Sequence, residues 1–264
     1  MIDLNRKKLF LLDMDGTIYL GDELFDSVKE FLSEVKKRGG KYLFVTNNSS
    51  RGVNAYVDRL KGMGIEDTSA DDFLTSTDAL IWYLRGKYDV AKIYAFGTKT
   101  FREQLIGAGF NITTELEDNI SLLVCGFDTE LTFKKLEDAC KLLVKGVDFI
   151  ATNPDWVCPT SFGSVPDCGS VCEMLFRATG RRPKFIGKPQ PEMALLSMDK
   201  YGFSKEETML IGDRVYTDIA CGVNAGIDTA FVLSGEGVVE DIEKFNVHPT
   251  ETFAHIRDIL KRMK

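Results

Sequence analysis

The sequence is poor in histidine, has no excess of basic residues and has no long apolar run. Its only two histidines, His248 and His255, lie near the end of the chain, which argues against a Ser-His-Asp triad or a histidine zinc site. The 33 basic residues are outnumbered by 40 acidic ones, giving a net charge of −7, so we expect no nucleic-acid partner. No segment is apolar over a membrane-spanning length and no signal-peptide pattern is present, so we expect a cytoplasmic protein with no membrane partner.

CxxC pairs are also absent. The six cysteines, at positions 125, 140, 158, 168, 172 and 221, are spread through apolar stretches, and reduced thiols are the default for such a pattern. Cys158, Cys168 and Cys172 could be interpreted as a zinc cluster, but neither a histidine nor a CxxC pair accompanies them. We therefore do not expect zinc.

The 264 residues, 44% of them hydrophobic, are enough to bury a sizeable core. Short β-branched and aliphatic runs alternate with segments of helical period, which predicts βαβ units and a parallel sheet in an α/β fold. Strands are predicted over 8–12, 41–45, 92–96, 121–125, 149–152, 184–186, 208–211 and 229–233. Residues 153–169 are predicted to be an irregular loop, and 253–262 a terminal helix. No GxGxxG follows the first strand, which disfavours a dinucleotide-dependent dehydrogenase.

The most informative segment is the buried strand that ends in Asp13-Met-Asp15-Gly16-Thr17. Side chains alternate along a strand, so Asp13 and Asp15 point to the same side. Gly16 allows a turn and lets backbone N–H groups approach a ligand. Ligands of open parallel sheets bind beyond the carboxyl ends of the strands, so this pair favours chemistry over an ordinary turn.

Two further strand ends carry polar residues. Thr46-Asn47-Asn48 follows the second predicted strand, where a hydroxyl, two amides and free N–H groups suit an anion. Taken alone, this segment could equally be the N-cap of the next helix. Lys188, between a glycine and a proline, follows a later strand and could reach the same crevice, although most lysines are simply solvated.

Another apolar strand delivers Asp213, and Asp218 follows in the first turn of the next helix. Asp218 could merely favour the helix N-terminus electrostatically. Carboxylates gathered in one crevice repel one another and require a cation, and an all-oxygen set without histidine suits Mg²⁺. Mg²⁺, a lysine and backbone N–H groups together can stabilise a phosphoryl group in its transition state.

These four motifs, in this order and each after a strand, resemble those of the haloacid dehalogenase superfamily of phosphohydrolases. The long insertion between the Thr46 and Lys188 motifs, with Ala151-Thr152-Asn153-Pro154-Asp155 inside it, resembles the large α/β cap of the NagD and 4-nitrophenyl phosphatase subfamily. The resemblance implies a Rossmann-like doubly wound parallel sheet over 1–77 and 184–264, with an inserted, smaller α/β cap domain over 78–183.

The resemblance also implies a role for each site residue. Asp13 is the expected nucleophile, which forms an aspartyl-phosphate, and Asp15 is the expected acid and base. Mg²⁺ is expected on the Asp13 carboxylate, the Asp15 backbone carbonyl and Asp213. Thr46 and the backbones of Asn47 and Asn48 are expected to hold phosphate, Lys188 to neutralise charge, and Asp218 to act through water or by orienting Lys188.

The sequence thus predicts a Mg²⁺-dependent phosphatase for small phosphate monoesters such as sugar phosphates, nucleotides or 4-nitrophenyl phosphate. A phosphotransferase or phosphomutase on a small phosphorylated metabolite, and a non-catalytic phosphometabolite-binding module, remain as alternatives. The 153–169 loop is expected to select the leaving group. Cys158 could contact substrate there, although a structural thiol is the simpler interpretation. Relatives can pair through their caps, so a homodimer is a further expectation.

Overall fold

A computed structural model describes residues 1–160 and 162–264. Contacts divide these residues into two compact units: Met1–Thr46, Val53–Leu74 and Lys188–Lys264 form the first, and Asn47–Gly52 and Thr75–Gly187 form the second. The domain bounds expected from the sequence stay a prediction. The contacts differ from them in assigning residues 47–52, 75–77 and 184–187 to the second unit.

The described residues form fifteen strands: β1 Leu9–Leu12, β2 Tyr19–Leu20, β3 Glu23–Leu24, β4 Lys41–Thr46, β5 Phe73–Thr75, β6 Lys92–Phe96, β7 Asn111–Thr113, β8 Ile120–Cys125, β9 Asp148–Ala151, β10 Val157–Thr160, β11 Gly163–Pro166, β12 Lys184–Phe185, β13 Thr208–Gly212, β14 Asp228–Val232 and β15 Glu251–Phe253. They also form ten α-helices: α1 Val28–Lys37, α2 Val53–Gly62, α3 Ser76–Leu84, α4 Lys99–Gly107, α5 Phe133–Val144, α6 Cys168–Thr179, α7 Glu192–Tyr201, α8 Ala220–Ala225, α9 Glu240–Phe245 and α10 Ile256–Met263. None of the helices in this part of the chain is both long enough and apolar enough to cross a membrane.

The sheet of the first unit has the strand order β15-β14-β13-β1-β4-β5. Strand β1 lies parallel between β13 and β4, with Leu12 opposite both Ile211 and Phe44. All four residues of β1 are buried, as expected for a central parallel strand that is covered on both faces. Because the three strands are in register, the chain leaves β1, β4 and β13 at the same edge of the sheet.

Helix α1 packs its apolar stripe against this sheet. Val28, Phe31, Leu32 and Val35 are buried at spacings of three and four residues, which place them on one helical face. The Phe31 ring meets Phe10 of β1 edge to face, with ring centroids 5.6 Å apart. Burial of each such side chain contributes about 1.5–3 kcal/mol, so the helix holds β1 firmly in the core.

The second unit has its own sheet, with the order β12-β9-β8-β6-β7. The neighbouring strands of this sheet are parallel. Its core includes Tyr94, Leu123, Leu142 and Leu175, which are buried between the sheet and helices α5 and α6. Strands β10 and β11 form a separate antiparallel pair, with Cys158 opposite Val165.

The predicted α/β class with parallel sheets is confirmed, but two local predictions were wrong. The segment 153–169, expected to be irregular, contains β10 and β11, and α6 already begins at Cys168. Strands β10 and β11 contain proline and small residues, so they lack the alternation of apolar and polar residues by which a strand is predicted. The terminal helix begins at Ile256 rather than at 253, because His255 Nδ1 accepts the Arg257 N–H at 3.3 Å and so caps it.

Candidate active site

The site of the first unit is built at the carboxyl edge of its sheet. Asp13 follows β1 directly, Asp213 follows β13, and Thr46 is the last residue of β4. The Asp13 N–H donates to the Ile211 carbonyl at 2.9 Å, so the ladder between the two strands continues up to the acidic residue. Three neighbouring parallel strands therefore place these residues at the same edge of the sheet.

Lys188 is the positive centre of this edge. Its Nζ lies 2.5 Å from Asp13 Oδ1 and 2.6 Å from Asp218 Oδ1, and it donates to the Val45 carbonyl at 3.2 Å. The residue is only 4% exposed. Burial opposes its charge, but the carboxylates of Asp13 and Asp218 outweigh that effect and raise the pKa of Lys188. The ammonium group therefore stays charged and bridges the two acids.

Three carboxylates crowd around this lysine. One oxygen each of Asp13, Asp213 and Asp218 lies within 4.8 Å of the others. Burial and the neighbouring Asp218 raise the pKa of Asp13 to about 8 and that of Asp213 to about 6. Asp213 Oδ2 accepts the Glu236 N–H at 2.8 Å, whereas Asp213 Oδ1 is buried without a hydrogen-bond partner among the described residues. Repelling oxygens with one unsatisfied atom are a donor set that fits a hard divalent cation such as Mg²⁺.

Two glycines make room for Asp213. A Cβ on Gly16, whose φ is +78°, would lie 2.3 Å from Asp213 Oδ2, and one on Gly235 would lie 2.0 Å from the same atom. Neither distance is possible for real atoms, so any other residue at these positions would displace the carboxylate. Gly16 is therefore needed both for the turn after β1 and for the space that the Asp213 carboxylate occupies.

Asp15 occupies a different environment from Asp13. Asp15 is exposed, whereas Asp13 is only partly exposed and Met14 between the two acids is buried. The Tyr19 hydroxyl donates to Asp15 Oδ2 at 3.3 Å, and the Arg59 guanidinium lies 4.5 Å from the centroid of the Tyr19 ring. Loss of solvation raises the pKa of Asp15, and Arg59 and the Tyr19 hydrogen bond partly oppose that rise.

Asn47 and Asn48 belong to the second unit. The Asn47 Nδ2 donates to Asp155 Oδ2 at 2.9 Å, and Asn48 Oδ1 accepts the N–H and hydroxyl of Ser50 at 2.9 and 2.8 Å. Asn48 Nδ2 lies 3.9 Å from the half-buried Cys158 sulfur. The two amide side chains are thus used within that unit, and the phosphate contact expected from their backbones stays a prediction.

Sequence reasoning missed the groups that surround the acids. Tyr19 and Arg59 beside Asp15 were not predicted, and neither was Glu236, whose N–H binds Asp213 and whose side chain pairs with Arg214 at 2.9 Å. Tyr19 lies in a two-residue strand, too short for a hydrophobic period. Arg59 and Glu236 are charged residues of ordinary surface type, and nothing in the sequence relates either to an acid so far along the chain.

Comparison with known proteins relates this site to a family. Residues 10–111 match the profile of haloacid dehalogenase-like hydrolases, and residues 185–259 match a second profile of HAD-hydrolase-like proteins. The chain is 32% identical to an acid sugar phosphatase of Staphylococcus aureus over 257 residues, 97% of this chain and 98% of that protein. Together the two profiles cover both sides of the long insertion.

Two solved structures are similar throughout. A 4-nitrophenylphosphatase from Thermotoga maritima superposes with a TM-score of 0.91 at 37% identity, covering 99% of each chain. A glycerol phosphate phosphatase from Mycobacterium tuberculosis, solved in complex with magnesium, has a TM-score of 0.90 at 26% identity and covers 99% of this chain and 79% of its own. These matches confirm the resemblance to the superfamily and to its NagD and 4-nitrophenyl phosphatase branch.

Proposed function

Because the chain belongs to the haloacid dehalogenase-like hydrolases, we propose that it is a Mg²⁺-dependent phosphatase that hydrolyses small phosphate monoesters through an aspartyl-phosphate. The observation that carries this proposal is the contact of Lys188 Nζ with both Asp13 and Asp218, beside the unsatisfied Asp213 oxygen. A buried lysine held against two acids stabilises negative charge at one defined place, which phosphoryl transfer requires.

Asp13 is the proposed nucleophile. Its carboxylate attacks phosphorus and the leaving alkoxide departs, which produces a phosphoryl group on Asp13. The ionised form is needed, and Lys188 favours it against the burial and repulsion that raise the pKa of Asp13 to about 8. The carboxylates of Asp13 and Asp213, with the Asp15 backbone carbonyl, would hold Mg²⁺. When bound, the ion would neutralise these acids and polarise the phosphoryl oxygens.

Asp15 is the proposed acid and base. In the first half-reaction its carboxyl protonates the leaving oxygen, which departs as the alcohol. In the second it takes a proton from the water that attacks phosphorus, the bond between phosphorus and Asp13 breaks, and inorganic phosphate leaves with the Asp13 carboxylate free again. A raised pKa suits this work, because an ordinary aspartic acid holds its proton too weakly near neutral pH. The Tyr19 hydrogen bond orients the carboxyl and limits the rise.

The names of the relatives indicate the substrate class. They are an acid sugar phosphatase, a 4-nitrophenylphosphatase and a glycerol phosphate phosphatase, all of which take small phosphate monoesters. We infer the same class here. Hydrolysis is favoured over transfer to an acceptor sugar, since the exposed Asp15 can activate water.

The nucleophile can be tested directly by exchanging Asp13 for Asn. Asp13→Asn is expected to lower kcat on 4-nitrophenyl phosphate and glycerol phosphate by at least about 1,000-fold, because an amide is not a nucleophile toward phosphorus. Acid-quenched wild-type enzyme is expected to carry one phosphoryl group on Asp13 in a peptide mass spectrum. The matched control is Asp26→Asn, a solvent-exposed acid of the same unit.

Two results would contradict the proposal. Normal turnover by a folded Asp13→Asn protein would remove Asp13 from the mechanism. Phosphate appearing only when an acceptor alcohol is supplied would replace the phosphatase with a phosphotransferase, and binding of substrate without any product would indicate a binding module.

A further inference from the structure

Three buried thiols meet in the second unit, outside the acidic site. Cys125 is the last residue of β8, and Cys168 and Cys172 lie one turn apart at the start of α6. The Cys168 sulfur lies 3.9 Å from the sulfur of Cys125 and 3.9 Å from that of Cys172. All three are reduced, and none is more than 2% exposed.

The spacing of these sulfurs is that of a metal-bound set. A metal–sulfur bond of about 2.3 Å separates the sulfurs by about 3.8 Å in a tetrahedral site and by about 4.0 Å in a trigonal one. The three sulfurs lie within 4.8 Å of one another, and the two distances to Cys168 fall between those ideal values. Little movement of the chain is therefore needed for all three to bind one ion.

We propose that Cys125, Cys168 and Cys172 form a three-thiolate site for a soft monovalent metal ion, namely Cu(I). Thiolates are the ligands that select Cu(I), whereas structural zinc almost always requires four protein ligands. Among the described residues this cluster has three cysteines and no histidine or carboxylate ligand. The donor set thus favours the softer ion with the lower coordination number.

The surroundings favour ionisation of the Cys168 thiol over that of its two neighbours. Cys168 stands in the first turn of α6, where the positive end of the helix stabilises a thiolate. Burial opposes ionisation, but hydrogen bonding with the Cys125 and Cys172 thiols lowers the pKa of Cys168. Hydrogen bonding with Cys168 raises the pKa of Cys125, and burial raises that of Cys172, so the ion must displace these two protons. Each sulfur that binds releases its proton to solvent, and the metal keeps its oxidation state throughout.

The cluster lies in an apolar shell that includes Phe127, Val171 and Leu175. One charged group stands close by, the helix-capping Asp167, which accepts the Cys168 N–H and a hydrogen bond from Asn153. Burial raises the pKa of Asp167 to about 7, so part of its charge is absent at neutral pH. A bound ion would join the end of β8 to the start of α6 within this dry environment.

The test is an anaerobic titration of the reduced full-length protein with Cu(I), in competition with the chromogenic chelator bicinchoninate. We expect one equivalent to bind, with an ultraviolet thiolate-to-copper absorption and X-ray absorption showing three sulfur neighbours. Cys168→Ser is expected to weaken binding by at least about 100-fold, since even the loss of an outer-shell contact costs 10–100-fold. Cys140→Ser is the matched control, because Cys140 lies on α5 of the same unit and outside the cluster.

Circular dichroism shows whether each variant folds, and Cys172→Ser replaces Cys168→Ser if the latter does not. Absence of stoichiometric Cu(I) binding would overturn the proposal. So would a Cys140→Ser variant that loses as much Cu(I) affinity as Cys168→Ser. Preferential uptake of Zn²⁺ over Cu(I) would overturn the choice of ion. Because no readout is an activity, the outcome is independent of the proposed phosphatase function.

Discussion

The two units have the same kind of sheet but use its carboxyl edge differently. In the first unit the ends of β1, β4 and β13 deliver Asp13, Thr46 and Asp213. In the second unit β8 ends in Cys125, and β9 is followed by Thr152, whose hydroxyl hydrogen-bonds to Ser49 at 3.0 Å. A parallel sheet therefore supplies only the position, and the residue at or just beyond the end of each strand decides whether oxygen or sulfur ligands are offered there.

The largest effect expected from this comparison tests whether a buried lysine–carboxylate pair serves catalysis in the first unit and stability alone in the second. Lys188→Met leaves Asp13 and Asp218 buried without their cation, so we expect a loss of about 3–5 kcal/mol in the free energy of unfolding. We also expect kcat/KM on 4-nitrophenyl phosphate to fall at least about 100-fold, as when a transition-state donor is removed. Steady-state kinetics and urea denaturation measure the two effects.

The matched control lies in the second unit. Lys135 pairs with the fully buried Asp128 at 2.8 Å, so Lys135→Met is expected to lower stability and leave kcat unchanged. If both lysine variants lost activity to the same extent, the contrast between the two units would not hold.

A second prediction concerns pH and the acids of the first unit. The pKa values of Asp13 and Asp213, about 8 and about 6, lie above the unfolded value of about 3.9, so the folded protein retains protons that the unfolded chain releases. In EDTA, the free energy of unfolding should therefore fall as pH rises from about 4 to about 8. Each kcal/mol lost lowers Tm by about 2–4 °C.

Added Mg²⁺ should raise the free energy of unfolding near pH 8, where its carboxylate ligands are ionised. Asp213→Asn should make the free energy of unfolding less dependent on pH. Melting curves at pH 5 and pH 8, with EDTA or Mg²⁺, measure both effects. A metal-free protein that became more stable between these pH values would contradict the charge repulsion described for this site.

The smallest expected effect concerns Tyr19. Tyr19→Phe removes the hydrogen bond to Asp15, so the pKa of Asp15 should rise further and the corresponding limb of the pH–rate profile should move to higher pH. We expect kcat to fall by no more than about 10-fold, because this hydrogen bond is long, at 3.3 Å, a typical one contributes about 1 kcal/mol, and the acid itself remains.

Tyr201→Phe is the control, because its hydroxyl donates to the Asp71 carbonyl at 3.1 Å in the same unit. An identical shift of the pH–rate profile in both variants would show that the Tyr19 hydrogen bond does not set the pKa of Asp15.

Much of the first unit could be predicted from the sequence, because each relevant strand is a short apolar run that ends abruptly in a polar residue. This pattern located Asp13, Thr46 and Asp213, and the strand order brought them together. Lys188 and Asp218 have weaker local signals, a position after a strand between glycine and proline and a position in the first turn of a predicted helix. Their individual roles came from the family resemblance.

The remaining features depend on contacts between distant parts of the chain. Cys125 and Cys168 are 43 residues apart, so nothing local relates them, and the cluster considered from the sequence contained Cys158 in place of Cys125. The antiparallel pair of β10 and β11 could not be predicted because Pro159 and Pro166 are unusual in strands. Three-residue strands such as β5 and β15 are too short to show a period at all.

The order in which the chain is made has a consequence for the buried lysine. Asp13 and Lys188 are separated by 175 residues, and the whole of the second unit is synthesised between them. At ordinary rates of translation, Asp13 waits on the order of 10–30 s for its counter-charge to leave the ribosome. Nascent chains that stop before Lys188 thus lack the cation of the acidic centre, and Asp13 gains its ion-pair partner only after the second unit has been made.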